Sequence, residues 1–166
     1  MLILESQFEA WGNEAACKAS AVRLAACPQV HQATIELQGD LGAGKTTFVR
    51  NLLRALGIQG TIKSPTYALM ESYELPASSS QPSPGSHVAH FDFYRFNDPQ
   101  EWEDAGFRDI FAAPGLKLVE WPDKARELLP TPDLQLTLQP LADDRRTVRW
   151  DALTPLGLQL LPRPTP

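Results

Sequence analysis

Residues Gly39-Asp40-Leu41-Gly42-Ala43-Gly44-Lys45-Thr46 set glycines, a lysine and a hydroxyl at the spacing of a phosphate-binding P-loop. Glycine at 39, 42 and 44 lets the backbone turn tightly, so that successive N–H groups converge on phosphate oxygens. Asp40, Leu41, Gly42, Ala43, Gly44, Lys45, Thr46 and Thr47 are therefore the expected nucleotide contacts. Lys45 supplies a mobile cation for the β- and γ-phosphates, and the Thr46 hydroxyl is suited to Mg²⁺. The chemistry is that of a nucleoside triphosphate and a divalent cation, with ATP or ADP and Mg²⁺ as expected cofactors.

A P-loop works only between a strand and a helix. Upstream, Ala33-Thr34-Ile35-Glu36-Leu37-Gln38 is a β-rich run. Downstream, Phe48, Val49, Leu52, Leu53 and Leu56 recur at helical spacing, and Gly57 stops the pattern. The helix N-terminus then adds its own amides and dipole to the phosphate site.

The cation needs a second carboxylate, usually at the end of a neighbouring strand. Asp92 sits among aromatics in His90-Phe91-Asp92-Phe93-Tyr94-Arg95, and Glu120 ends the apolar run Leu116–Val119. An acid closing such a strand is costly to bury unless a cation compensates it. Asp92 otherwise reads as a surface residue on a ribbon, and Glu120 as a helix-capping carboxylate. Lys63-Ser64-Pro65-Thr66-Tyr67 follows at a distance suited to a sensor loop. Pro65 makes Ser64 extended, and the Ser64 and Thr66 hydroxyls can report on the γ-phosphate or the metal. A plain turn is the alternative.

Elsewhere the chain reads as short elements. Asn13-Glu14 caps a predicted helix to about Ala26, with Cys17, Ala21 and Leu24 on one stripe, ended by Pro28. Thr61–Tyr73 and Val88–Phe93 read as extended segments forming a two-stranded ribbon. Between them, a Ser/Pro-rich insert at about 75–87 is too polar to bury itself and is expected to be mobile. Asp98-Pro99-Gln100-Glu101 starts a short helix, with Asp98 as cap and Glu101 reaching back, and Gly106 ends it. Pro122 opens another short helix that Pro130 stops. Leu134, Leu136 and Leu138 alternate with polar residues as a strand with one wet face, paired with Thr147–Trp150. One domain over residues 1–155 and a proline-rich tail over 156–166 are expected.

The 166 residues carry a net charge of −5, which argues against an RNA grip by the chain alone. The tight basic cluster Arg145, Arg146 and Arg149 reads as a solvated strand edge. The two cysteines fit no disulfide or zinc pattern, no run is long enough to span a bilayer, and no leader is evident. A reducing cytoplasm fits best. There is no N-K-x-D run to read guanine and no arginine-rich lid of a small-molecule kinase.

With P-loop, Lys63-Ser64-Pro65-Thr66-Tyr67, His90-Phe91-Asp92-Phe93-Tyr94-Arg95 and Leu118-Val119-Glu120-Trp121-Pro122 in this order, the chain resembles the bacterial tRNA threonylcarbamoyladenosine biosynthesis ATPases, the TsaE/YjeE family, over roughly residues 12–150. The resemblance implies a P-loop NTPase-type α/β sandwich whose mixed sheet joins a parallel core to antiparallel strands. It implies a weak Mg²⁺-dependent ATPase that supports a transferase subunit and its paralogous partner. That complex modifies adenosine 37 of tRNAs reading codons that begin with A, so tRNA is met indirectly. By position, the resemblance makes Thr46 and Glu120 metal ligands and sets Asp92 beside the metal and its water. It makes Ser64-Pro65-Thr66 the switch-like segment and Trp121 a pocket or partner-facing aromatic. Asp144-Arg145 stands where a Gly-Arg pair is common, which makes Arg145 a candidate nucleotide contact. In the first helix Cys17, Ser20 and Ala21 replace the usual threonine and leucine-glycine pair. The alternatives are an ATP-gated binding module in which hydrolysis is incidental, and a small P-loop kinase.

Overall fold

The computed structural model describes residues 1–65, 68–76 and 86–163. Seven strands form one sheet: β1 Glu5–Trp11, β2 Thr34–Gln38, β3 Met70–Glu74, β4 His87–Asp92, β5 Leu116–Glu120, β6 Leu134–Pro140 and β7 Arg146–Ala152. Their spatial order is β1-β7-β6-β2-β5-β4-β3. β2 runs parallel to both β5 and β6, and β4 parallel to β5, whereas β1, β7 and β3 pair antiparallel with their neighbours. The expected mixed sheet with a parallel core is what the chain adopts.

β5, fully buried, and β2, buried over its three middle residues, are central strands, as parallel strands covered on both faces require. On one face lie helices α1 Glu14–Ala25 and α2 Lys45–Ala55. Cys17, Ala21, Leu24, Phe48, Val49, Leu52 and Leu53 meet Ile35, Leu37, Leu134, Leu136, Val148 and Trp150 there. Burying each large apolar side chain stabilises by roughly 1.5–3 kcal/mol, so this stripe fixes α2 and the loop before it. On the other face, α3 Pro99–Asp104 and α4 Phe107–Ala112 cover β4 and β5 with an aromatic cluster. Phe91 stacks on Phe111 at 4.5 Å, and Trp102 on Phe111 at 5.4 Å.

Two cap assignments hold as read. Asn13 accepts from Ala16 N, and Asp98 accepts from Gln100 N. Other expectations need correction. Glu5–Trp11, to which the sequence reading assigns no element, forms edge strand β1. The extended segment expected over Thr61–Tyr73 is strand only from Met70, with residues 61–65 irregular and Thr66 and Tyr67 outside the described residues. Gly106, at φ +70°, follows the end of α3 as expected, and it also caps a second helix, α4, that the sequence reading does not place. Leu75 packs on the core and donates to Ser86 O at 2.7 Å, so pairing passes the expected edge of the Ser/Pro insert, whose centre lies outside the described residues. The tail is partly built in. Pro155–Leu158 forms helix α5 under a Thr154 cap, and Leu160 and Leu161 are buried. The basic cluster is not at a sheet edge, since β7 lies between β1 and β6 and Arg149 pairs with Asp151 at 2.8 Å. Among the described residues no helix is long and apolar enough to cross a membrane.

Candidate functional site

The loop between β2 and α2 is shaped by close approach. At Gly39, φ +148°, an added Cβ would fall 2.6 Å from Leu138 O, so only glycine lets the loop pass β6. At Gly44, φ +104°, it would fall 2.9 Å from Arg146 Nε. Gly44 is also the N-cap of α2 and makes no side-chain cap, which leaves the first amides of the helix facing the space in front of the loop.

That space is a cavity of about 590 Å³ lined by the loop from Leu41 to Thr47 and by Ser64, Asp92, Tyr94, Arg95, Glu120, Trp121 and Arg146. Strand register brings the acids there. Asp92 and Glu120 are direct neighbours at the C-terminal ends of parallel strands β4 and β5, the edge where α/β sheets hold ligands. Glu120 Oε1 accepts from Thr46 Oγ1 at 2.8 Å, and Glu120 Oε2 meets His90 Nε2 at 2.6 Å. Asp92 Oδ1 accepts from Tyr94 N at 3.0 Å, holding its carboxylate at the rim.

Lys45 turns its ammonium back on the loop, donating to Gly39 O and to Asp40 O, 4.1 Å over the Trp121 ring. Burial lowers its pKa, opposed by the carboxylates of Glu120, Asp92 and Asp40. Trp121 itself sits at φ +55°, a conformation uncommon for a large residue, which lays its indole across the cavity floor next to Tyr94 at 5.0 Å.

Burial first, and then the Glu120 charge, pushes the Asp92 carboxyl above the usual carboxylate range. An acid whose pKa rises on folding destabilises the folded state at every pH where it must ionise, and a bound cation removes that penalty. Asp92→Asn should therefore raise the melting temperature of the nucleotide-free protein at neutral pH by a few degrees, roughly 1 kcal/mol for a domain of this size. A melting curve that falls instead would show the carboxylate to be compensated without a cation.

The donor set suits a hard cation that keeps other ligands. Among the described residues no group of three or more His, Cys, Asp or Glu side chains is arranged to hold a metal unaided. Thr46, Asp92 and Glu120 offer oxygens only, so a cation here must complete its shell with phosphate and water, the habit of Mg²⁺.

The structure thus brings Leu41, Gly42, Ala43, Gly44, Lys45, Thr46, Thr47, Ser64, Asp92, Glu120 and Trp121 to one cavity. Asp40 stays within the loop, contributing its carbonyl rather than its carboxylate. Thr66 lies outside the described residues. Arg145 does not join the others. It is exposed, and the neighbouring Arg146 reaches the loop, donating from Nε to Ala43 O at 2.7 Å. The inward alternation of Val148 and Trp150 was the available signal, because it puts position 146 on the loop's face of β7. Arg146 also links this cavity to a smaller one of about 140 Å³ lined by Trp11, Asn13, Glu14, Cys17, Gly44 and Thr47. There burial pushes the Cys17 thiol up. A larger cleft of about 830 Å³ between α3–α4 and residues 127–130 has mixed charge and lies away from the loop.

The model of the family described as "Threonylcarbamoyl adenosine biosynthesis protein TsaE" matches residues 11–148. The chain is 40% identical to the tRNA threonylcarbamoyladenosine biosynthesis protein TsaE of Haemophilus influenzae over 127 residues, 76% of this chain and 75% of that one. It is 36% identical to the TsaE of Bacillus subtilis over 122 residues, 72% of this chain and 69% of the relative. The crystal structure of Bacillus subtilis YdiB superposes with a TM-score of 0.72 at 25% identity, covering 96% of this chain and 93% of the other.

Proposed function

Because the chain belongs to the TsaE family of threonylcarbamoyl adenosine biosynthesis proteins, we propose that it is the Mg²⁺-dependent ATPase of tRNA threonylcarbamoyladenosine formation. It serves a transferase subunit and that subunit's paralogous partner at adenosine 37 and meets tRNA through them. The net charge of −5 supports contact through protein rather than direct grip on RNA. A cytoplasmic setting follows from that substrate.

One observation carries the reading. Uncapped amides of α2, the Lys45 ammonium and the Thr46–Glu120–Asp92 oxygens all face a single cavity. Lys45 swings from the loop carbonyls to the β- and γ-phosphates of ATP. Thr46 donates its hydroxyl hydrogen bond to Glu120 and would so keep a lone pair for Mg²⁺. Asp92 would order the metal's water or the attacking water, and Ser64 with Thr66 would report on the γ-phosphate. Catalysis of phosphoryl transfer is positioning and electrostatics, so a partner that completes the rim sets the rate. The smaller cavity beyond Gly44 and Thr47 takes the nucleoside end, with Arg146 at the junction.

Arg146→Ala should weaken ADP binding about tenfold, the loss of one charge-assisted contact, while leaving the loop folded. Titration of a fluorescent ADP analogue checks it, and unchanged affinity would return the nucleotide to the other side of the loop. For the function as a whole, threonylcarbamoyladenosine formation reconstituted with the transferase pair should require this protein and hydrolysable ATP.

A second reading has its own support. Leu41, 74% exposed, and Tyr94, 44% exposed, are apolar groups on the nucleotide rim. They suit a module whose docking is gated by ATP occupancy. If a non-hydrolysable analogue sustains repeated rounds of modification, occupancy alone is the function.

A further inference from the structure

His90 takes no part in the chemistry above, yet it touches Glu120 from behind the site. It lies on β4 two residues before Asp92, so both side chains leave the same face of the strand, His90 behind the cavity and Asp92 at its rim. His90 and Glu120 are both almost wholly buried, at 1% and 2% side-chain exposure. Their contact of 2.6 Å is in the short range of charge-assisted hydrogen bonds. An ionised carboxylate only accepts, so Nε2 carries the shared proton. The other ring nitrogen, Nδ1, is buried without a hydrogen-bond partner among the described residues, so there the bond to Glu120 is the one polar contact that holds the ring. Each oxygen of Glu120 then has one fixed donor, Thr46 Oγ1 on Oε1 and His90 Nε2 on Oε2.

We propose that His90 is a positioning residue for the cation, orienting Glu120 and through it the Thr46 hydroxyl. Without the Nε2–H donor, the Glu120 carboxylate is free to rotate about its last bond, and the Thr46 proton follows it. The Thr46 lone pair would then no longer be held toward the cavity, where a cation would sit. Supporting donors of this kind change metal affinity by about 10–100-fold when removed. The inference rests on the Mg²⁺-nucleotide reading of the cavity and assigns a role within it.

The test is the Mg²⁺ concentration needed for half-maximal tightening of ATP, read by titrating a fluorescent ATP analogue at fixed protein. Affinity for the ADP analogue in EDTA is measured alongside. His90→Phe keeps a buried ring without the donor and should raise the Mg²⁺ requirement at least about tenfold, with metal-free ADP affinity unchanged. His90→Gln, whose amide nitrogen reaches the place of Nε2, should return it to within about threefold of wild type, while the shorter His90→Asn should behave as His90→Phe. Equal Mg²⁺ requirements for the Gln and Asn variants would overturn the assignment, and that comparison stands even where His90→Phe fails to fold. A loss of metal-free ADP binding equal to the loss with Mg²⁺ would also overturn it and reduce His90 to a packing residue. Wild-type protein that bound ATP with no response to Mg²⁺ would sink the underlying reading of the cavity, a result distinct from any difference among the variants.

Discussion

Lys45→Ala should lower ATP turnover at least about a hundredfold, the scale of losing one preorganised charge aimed at a developing negative centre. Its ammonium is the only lysine group lining the phosphate cavity among the described residues. It is held ready by Gly39 O, Asp40 O and the face of Trp121 rather than by a carboxylate contact. Partners of that kind release it when phosphate oxygens compete, because a neutral carbonyl is a weaker acceptor than a phosphate. Burial already lowers the lysine's pKa, so its charge is partly desolvated before the nucleotide arrives. Removing it should therefore leave the melting temperature unchanged or slightly higher, since the three acids that face it lose only a partial compensator. Phosphate release by the protein alone and with the transferase pair measures the effect. Wild-type turnover in Lys45→Ala would mean that the loop grips something other than a triphosphate.

The parts of the site that sequence reveals are those whose geometry is local. A P-loop is eight consecutive residues, and its strand and helix announce themselves by flanking periodicity. Asp92 was legible among strand-spaced aromatics and Glu120 because it ends an apolar run, and the parallel register then sets them side by side. What stayed hidden is pairing across distance. His90 meets Glu120 thirty positions away, and nothing in either run says that the imidazole faces the carboxylate rather than solvent. Edge strand β1 was missed because, with one fully buried residue, Trp11, it has no alternation to read. Arg146 and not Arg145 lines the cavity, a difference of one residue, and in a strand one residue exchanges the two faces of the sheet. Helix α5 carried a signal in Thr154-Pro155, a cap followed by a first-turn proline, but the prolines after it argued for irregular chain.

The least legible pair is also the one on which the frame of the site depends most. Glu36 lies in the middle of β2 at 0% exposure, on the face opposite Ile35 and Leu37. Arg126 grips it with two bonds, 2.9 and 2.7 Å, and Gln135 adds a third at 3.1 Å. Arg126 follows the turn Pro122–Ala125, which in turn follows Trp121. The pair thus ties the segment carrying the indole floor to the strand that launches the P-loop. Arg126→Leu would leave a buried carboxylate with Gln135 alone, a loss of about 3–5 kcal/mol for breaking such a pair. The denaturation midpoint in urea should fall accordingly at constant slope. Replacing both partners, Glu36→Leu with Arg126→Leu, removes the unpaired charge and should recover most of that loss, because matched apolar groups substitute well for buried ion pairs. A double variant less stable than the single one would show that Arg126 acts through its other contact, Asp123 at 3.3 Å, and not through the strand.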